Sequence, residues 1–454
     1  MIMFRDDPPT QPGPLAPAPR APGAPDPGLR VPGRGLPILP EAASRDLCTD
    51  CGVSRSSMAD ACGKACQFIH PRYDALETQV HGRARDAART DELHFGVHRA
   101  MHRARLAPAA DGAQWTGITS ALGAELLSRG LVDAVIATTH APDDRWRPVP
   151  ALVTEAHAMA AVRGMKMGYA PLVALVEQAV ALGYRRLAFI GVACQVHALR
   201  ALESRFGLEA LYVIGTPCSD NTTTERFHQF LALLVDRPDE VTYLEFLANM
   251  TVELRFRDGH VEHRPFLTLP ISRLPRDFFP LTCRSCFDYT NALADITVGY
   301  MGGSGDQWLI ERTARGSELL ALLTDRLVTT PLEDRGDRRG PVQGFVKQLE
   351  RSNGGLPLRR TPRALRPLVN WMMARFGPKG LEFARTRVEM KLTEGILNLR
   401  HERPSRLRRM VPDFAWQLAA PYGLRPTVGE LPPAPRADVA PPGSTTPWSV
   451  SHDW

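Results

Sequence analysis

Residues 172–221 read LVALVEQAVALGYRRLAFIGVACQVHALRALESRFGLEALYVIGTPCSDN. The run opens on a helix over Leu172 to Leu182, whose apolar residues recur at helical spacing. Leu187 to Val192 is a short, unbroken apolar segment bounded by polar residues, the pattern of a strand buried on both faces. A helix over Gln195 to Arg205, a strand over Ala210 to Gly215 and a helix over Thr223 to Val235 follow. This alternation predicts an α/β fold with a mixed sheet and helical crossovers.

Upstream, Ile118 to Ser128 predicts a helix and Val132 to Thr138 a strand. Thr251 to Arg257 and Val261 to Leu267 form a hairpin turning at Asp258-Gly259. Beyond about Asp325 the chain is rich in arginine and helix formers, which predicts a helical C-terminal extension. Residues 1–40 hold twelve prolines, and prolines crowd again from Pro426 to Trp454. Such segments bury too little apolar surface to offset their chain entropy, so both ends are expected to be disordered.

The chain has 454 residues, 44% of them hydrophobic, and a formal charge of +6. The longest apolar run, Leu187 to Cys194, falls far short of the roughly 20 residues that cross a bilayer. Asp6 and Asp7 stand where a signal peptide would be apolar, so a cytoplasmic location is expected, with peripheral contact to a membrane surface compatible. A pI near 9.0 suits an acidic protein partner as well as nucleic acid, and the charge alone does not justify a nucleic-acid reading. No G-x-G-x-x-G follows a strand and no P-loop occurs; the glycine-rich stretch from Gly299 to Gly305 lacks the third glycine at the required offset.

The chemistry lies in eight cysteines. Cys48, Cys51, Cys62 and Cys66 have the spacing of a metal-ligand loop, while Cys283 and Cys286 form a second C-x-x-C pair. Cys194 and Cys218 each follow a predicted strand and precede a predicted helix, where free N–H groups favour a thiolate. They supply the two ligands that the second pair lacks. Four plus four thiolates suit zinc or iron-sulfur clusters, and the scatter of the second group over sheet edges is unlike a compact zinc knuckle.

Several segments resemble one known family: CTDCG at 48–52, ACQFI at 65–69, FGVHRA at 95–100, GAQWTGITSAL at 112–122, FIGVACQVHALR at 189–200, GTPCSDN at 215–221, CRSCFDYTNALADITVGYMG at 283–302 and GPKGLEFAR at 377–385. The family is the flavin and iron-sulfur group that includes the β subunit of deazaflavin-coenzyme-reducing hydrogenase, plant 7-hydroxymethyl chlorophyll a reductase and ferredoxin-dependent 8-vinyl reductase. The resemblance covers about residues 45–400, in order.

It implies FAD, two 4Fe-4S clusters, electrons from reduced ferredoxin and a tetrapyrrole substrate. It also implies that Cys194, Cys218, Cys283 and Cys286 hold one cluster, with Cys48, Cys51, Cys62 and Cys66 holding the other. In one departure, Ser54 stands where relatives have a third cysteine, and Cys62 takes its place in the count. By resemblance Trp115, Thr116, Gly117 and Lys166 are candidate flavin contacts.

The implied domains are a Pro-rich arm at 1–40, an iron-sulfur segment at 41–75, a flavin and iron-sulfur reductase core at 76–330, a helical extension at 331–425 and a tail at 426–454. The expected reaction is reduction of the 8-vinyl group of divinyl (proto)chlorophyllide. Dehydroxylation of a 7-hydroxymethyl pigment and electron transfer within a larger hydrogenase are the alternatives. The proton donor is open among His94, His98, His102, His157, His197, Asp288 and Tyr289, and self-association is compatible with all of this.

Overall fold

A computed structural model describes residues 28–41, 47–247, 249–300, 305–354, 356 and 361–431. The proline-dense residues 1–27 and 432–454, and the glycine-rich 301–304, lie outside the described residues.

Its centre is a ten-stranded sheet. In chain order the strands are β1 (Leu29–Pro32), β2 (Gly35–Leu36), β3 (Ala100–Leu106), β4 (Ala134–His140), β5 (Pro148–Val153), β6 (Arg186–Val192) and β7 (Ala210–Thr216). A separate three-stranded sheet holds β8 (Val241–Phe246), β9 (Thr251–Phe256) and β10 (Val261–Pro265). The main sheet is completed by β11 (Ile296–Gly299), β12 (Gln307–Glu311) and β13 (Leu327–Thr330), in the order β13-β3-β12-β11-β7-β6-β4-β5-β1-β2.

Strands β11, β7, β6 and β4 run parallel, and antiparallel strands flank them. This is why β6 is apolar without alternation: both of its faces are covered. The helices Leu172–Ala181 and Ala193–Leu202 pack on one face and Ile118–Ser128 on the other, each with its own apolar cluster. The hairpin turning at Asp258-Gly259 is present, but it belongs to the small sheet, packed against the helix Thr224–Leu234.

Two expectations are corrected. Residues 28–40 are not a disordered arm, because β1 pairs antiparallel with β5 through Leu29↔Val153 and Arg30↔Leu152 and extends the main sheet. The C-terminal helices are not an appended extension either. The helix Leu381–Glu402 has 13 of its 22 residues buried and shares a core with Phe68, Phe95, Phe287 and Trp308 from every earlier part of the chain. Arginine-rich composition hid this, since the long stems of charged residues pack while their heads pair. Among the described residues no helix is long and apolar enough to cross a membrane.

Candidate iron-sulfur and flavin site

The first cysteine group is fixed by its surroundings. Gly52 follows Cys51 with φ 108°, and a Cβ there would stand 2.6 Å from Ala174 N and 2.7 Å from Pro171 O. Only glycine permits that approach, which lets Cys51 O accept from Val173 N at 2.9 Å and seats the loop on the start of the helix Leu172–Ala181. Arg55 closes the loop through a 2.6 Å ion pair to Asp50. Cys62 opens the four-residue helical turn Cys62–Ala65, and Cys66 ends it.

Backbone amides point at the sulfurs, repeatedly from two residues downstream. Asp50 N donates to Cys48 Sγ at 3.3 Å, the Val53 amide faces Cys51 and the Phe68 and Ile69 amides face Cys66. In the second group Asp288 N faces Cys286, Asn221 N faces Cys283 and Gln195 N faces Cys194. Such amides stabilise sulfur in its anionic form.

Cys194, Cys218, Cys283 and Cys286 line one cavity, closed by Thr49, Gln67, Tyr169, Ser219, Asp220 and Asn221. Cys194 lies at the start of the helix Ala193–Leu202, Cys218 just past β7, and the C-x-x-C pair on the turn Leu281–Arg284. Burial pushes the Cys194 thiol up to about 11 and the Cys286 thiol to about 12, and it lifts Cys51, Cys218 and Cys283 as well. Buried thiols with amide donors already aimed at them become thiolates once a positive centre offsets the desolvation.

Among the described residues no group of three or more His, Cys, Asp or Glu is placed to hold a metal ion. Four thiols lining one cavity are a donor set that fits a sulfur-ligated polynuclear centre. The two groups adjoin: Thr49 Oγ1, beside Cys48, donates to Cys194 Sγ at 3.6 Å, and Gln67 Nε2, beside Cys66, donates to Cys286 Sγ at 3.3 Å.

The flavin candidates cluster in part. Thr116 is buried; its Oγ1 accepts from Leu106 N at 3.0 Å and donates to Gln307 Oε1 at 3.2 Å. Gly117, at φ 88°, precedes the helix Ile118–Ser128. Trp115 stacks on Tyr300 with centroids 4.8 Å apart and an interplanar angle of 8°. The loop carrying Lys166 touches this one through Arg163 NH1, which donates to Asp111 O at 2.9 Å. Lys166 itself donates to the carbonyls of Val162 and Arg163 at 2.7 Å each and of Gly164 at 3.2 Å, and burial lowers it to about 7.

Sequence reading missed a stripe on the helix Leu381–Glu402. Phe383 packs on Tyr300 at 5.7 Å, and Arg387 lies against the Tyr289 hydroxyl. Lys391 Nζ contacts Asp220 at 2.6 Å and Glu394 at 2.9 Å beside Cys286. A Cβ at Gly395 would stand 2.9 Å from the Phe287 ring, so glycine lets the Cys286 turn approach the helix. These positions are four apart and extend about 18 Å along the axis, joining the Trp115–Tyr300 stack to the cysteine cavity. The i, i+4 spacing was the signal available.

Of the proton-donor candidates, Tyr289 is the one placed between stack and cavity. Its carbonyl accepts from Cys218 N at 3.0 Å. His197 is buried, held by Ala65 O at 3.1 Å, and desolvation lowers it to about 4. His94 pairs with Glu389 at 2.8 Å, His98 Nδ1 lies 2.9 Å from Gly96 O, and Asp288 accepts from Ala292 N. His102 lies near Glu311, and His157 is an exposed residue near Glu155.

Residues 101–177 match the family "Coenzyme F420 hydrogenase/dehydrogenase, beta subunit N-term", and residues 184–335 match its "C terminus" counterpart. The chain is 37% identical to the uncharacterized protein all1601 of Nostoc sp., over 84% of this chain and 94% of the other. It is 36% identical to the chloroplastic 7-hydroxymethyl chlorophyll a reductase of Oryza sativa, over 84% of this chain and 83% of the other. In fold it resembles a chain of the F420-reducing [NiFe] hydrogenase complex from Methanosarcina barkeri, with a TM-score of 0.52 and 18% identity, covering 68% of this chain and 94% of that one.

Proposed function

Because the chain belongs to the coenzyme F420 hydrogenase/dehydrogenase β-subunit family, we propose that it is a ferredoxin-dependent iron-sulfur flavoprotein that reduces the 8-vinyl group of 3,8-divinyl (proto)chlorophyllide to ethyl. The observation that carries this reading is the adjacency of two partly buried cysteine groups, bridged by Thr49 and Gln67 and joined by one helix to an aromatic stack. A plain oxidoreductase function follows from the family; the tetrapyrrole is supported by likeness to the Oryza enzyme.

When bound, two 4Fe-4S clusters would relay single electrons and FAD would supply the two-electron step. Cys48, Cys51, Cys62 and Cys66 would hold one cluster, and Cys194, Cys218, Cys283 and Cys286 the other. The flavin is assigned to the Trp115-Thr116-Gly117 loop, anchored by Gln307, with Lys166 bracing the neighbouring loop through its three carbonyls. Vinyl reduction consumes two electrons and two protons. We assign one proton to the Tyr289 hydroxyl, which Arg387 orients. Selectivity for the 8-vinyl over the 3-vinyl group rests on placement, since the two differ little in intrinsic reactivity.

The test is anaerobic incubation of the purified protein with reduced plant-type ferredoxin and 3,8-divinyl chlorophyllide, followed by chromatography. The 8-ethyl product with an intact 3-vinyl group is expected. Identity to the Oryza enzyme favours a second reading, removal of a 7-hydroxyl from a hydroxymethyl pigment. Turnover of that pigment alone replaces the vinyl assignment, and obligate co-purification with a larger subunit replaces both with an electron-transfer role.

A further inference from the structure

The helix Arg366–Phe376 turns an apolar face outward. Leu365, Leu368, Met372 and Phe376 fall at i, i+3, i+7 and i+11, and Trp371 flanks them. Leu368 is 54% exposed, Trp371 56% and Phe376 66%. The opposite side carries Asn370, which is buried and accepts from Leu267 N at 3.1 Å, so the helix is docked with this orientation. Phe246, also exposed, packs on Phe266 of the short turn beneath and lies beside the face. Contiguous large apolar side chains at this exposure are uncommon on a monomer's surface and mark an interaction site.

The charge around the face selects the partner. Between Glu350 and Glu382 the sequence has six arginines and one lysine and no acidic residue, with Arg359 and Arg360 outside the described residues. Arg375 lies over the Phe376 ring at 5.5 Å and Arg366 Nε donates to Thr361 O at 3.1 Å, and neither contact pairs the guanidinium with a carboxylate among the described residues. A second copy related by a two-fold through this face would oppose these cations to their own images. A surface that is apolar below and anionic at its rim satisfies both features, and Trp, Phe, Leu and Met on one side with arginines at the border is the composition of a helix lying in a bilayer interface.

We propose that the helix Arg366–Phe376 seats the protein on an anionic lipid surface. Its apolar face enters the headgroup boundary, and the arginines engage lipid phosphates. The site is separate from the cysteine cavity and does not depend on the identity of the pigment.

The experiment is co-sedimentation of the full chain with phosphatidylglycerol vesicles and with phosphatidylcholine vesicles at about 0.1 M salt. Binding to the first is expected, at least tenfold weaker binding to the second, and a further loss at high salt. Trp371→Ser with Phe376→Ser should reduce partitioning at least tenfold while leaving far-ultraviolet circular dichroism unchanged. Arg363→Gln with Arg366→Gln and Arg375→Gln, which leaves the apolar face intact, should abolish the preference for phosphatidylglycerol. Absence of binding by the parent chain, or full binding by both variants, overturns the proposal. So does an oligomer, or a complex with plant-type ferredoxin, that the serine variant dissolves while vesicles fail to bind.

Discussion

Gln67 Nε2 donates to Cys286 Sγ at 3.3 Å, tying the residue beside one cysteine group to a cysteine of the other across 219 positions of sequence. Gln67 is buried and lines the cavity, and its Oε1 has no hydrogen-bond partner among the described residues. An N–H donor to a ligand sulfur stabilises the added negative charge of a reduced cluster, so it raises the potential. If Cys194, Cys218, Cys283 and Cys286 hold the proposed cluster, Gln67→Leu should lower its midpoint by about a tenfold shift in its reduction equilibrium, 59 mV for one electron. A redox titration followed by electron paramagnetic resonance checks this, and the N-terminal centre should move less.

Ligand grouping is read from iron content. Cys283→Ser should cost about half the iron and keep the N-terminal centre, whereas Cys62→Ser should damage the N-terminal one. Cys62 is buried at the start of its helical turn, within the electrostatic reach of Cys51 and Cys66. Full iron in the Cys62 variant would transfer its role to another group.

Tyr289→Phe removes the hydroxyl that Arg387 faces while keeping the ring in the core. Loss of a general acid lowers turnover typically by about 10²-fold or more. Iron and flavin content should be unchanged, and pre-steady-state reduction of the flavin by ferredoxin should stay at parent rate. A parallel fall in flavin reduction would move Tyr289 from proton donor to structural support.

Acid should weaken the fold through two imidazoles, the buried His197 and the half-buried His81. Desolvation lowers His197 and His81 from 6.5 to about 4. Between those values the unfolded chain binds the protons that the folded one refuses, so stability is present above pH 6.5 and declines as pH falls toward 4. For fully buried His197 the loss is on the order of 3 kcal/mol. His197→Asn should flatten this part of the profile in urea denaturation measured across pH.

Glu389 couples the C-terminal helix to the rest of the chain. It pairs with His94 at 2.8 Å and Arg338 at 2.9 Å and accepts from the Tyr422 hydroxyl. Burial pushes its carboxyl up, but these partners outweigh burial and hold it below the usual carboxylate range. Glu389→Ala leaves the buried Tyr422 and the partly buried His94 and Arg338 uncompensated and should cost about 3 kcal/mol in denaturant unfolding.

The sequence by itself determined the parallel centre of the sheet, because a strand covered on both faces must be apolar throughout, as Leu187 to Val192 is. It also held the close pairs Cys48 with Cys51 and Cys283 with Cys286, since covalent reach keeps each such pair together. Tertiary structure decided the rest. That Gln67 meets Cys286, and that Phe383, Arg387 and Lys391 connect Trp115 and Tyr300 to the cavity, depends on a helix hundreds of residues downstream docking on the sheet. The arginine-rich composition of that region reads as a helical extension, and β1 is concealed among prolines. In both cases the missing information was the partner surface: burial is a property of two elements together, and periodicity within one of them shows only that a face exists, not what covers it.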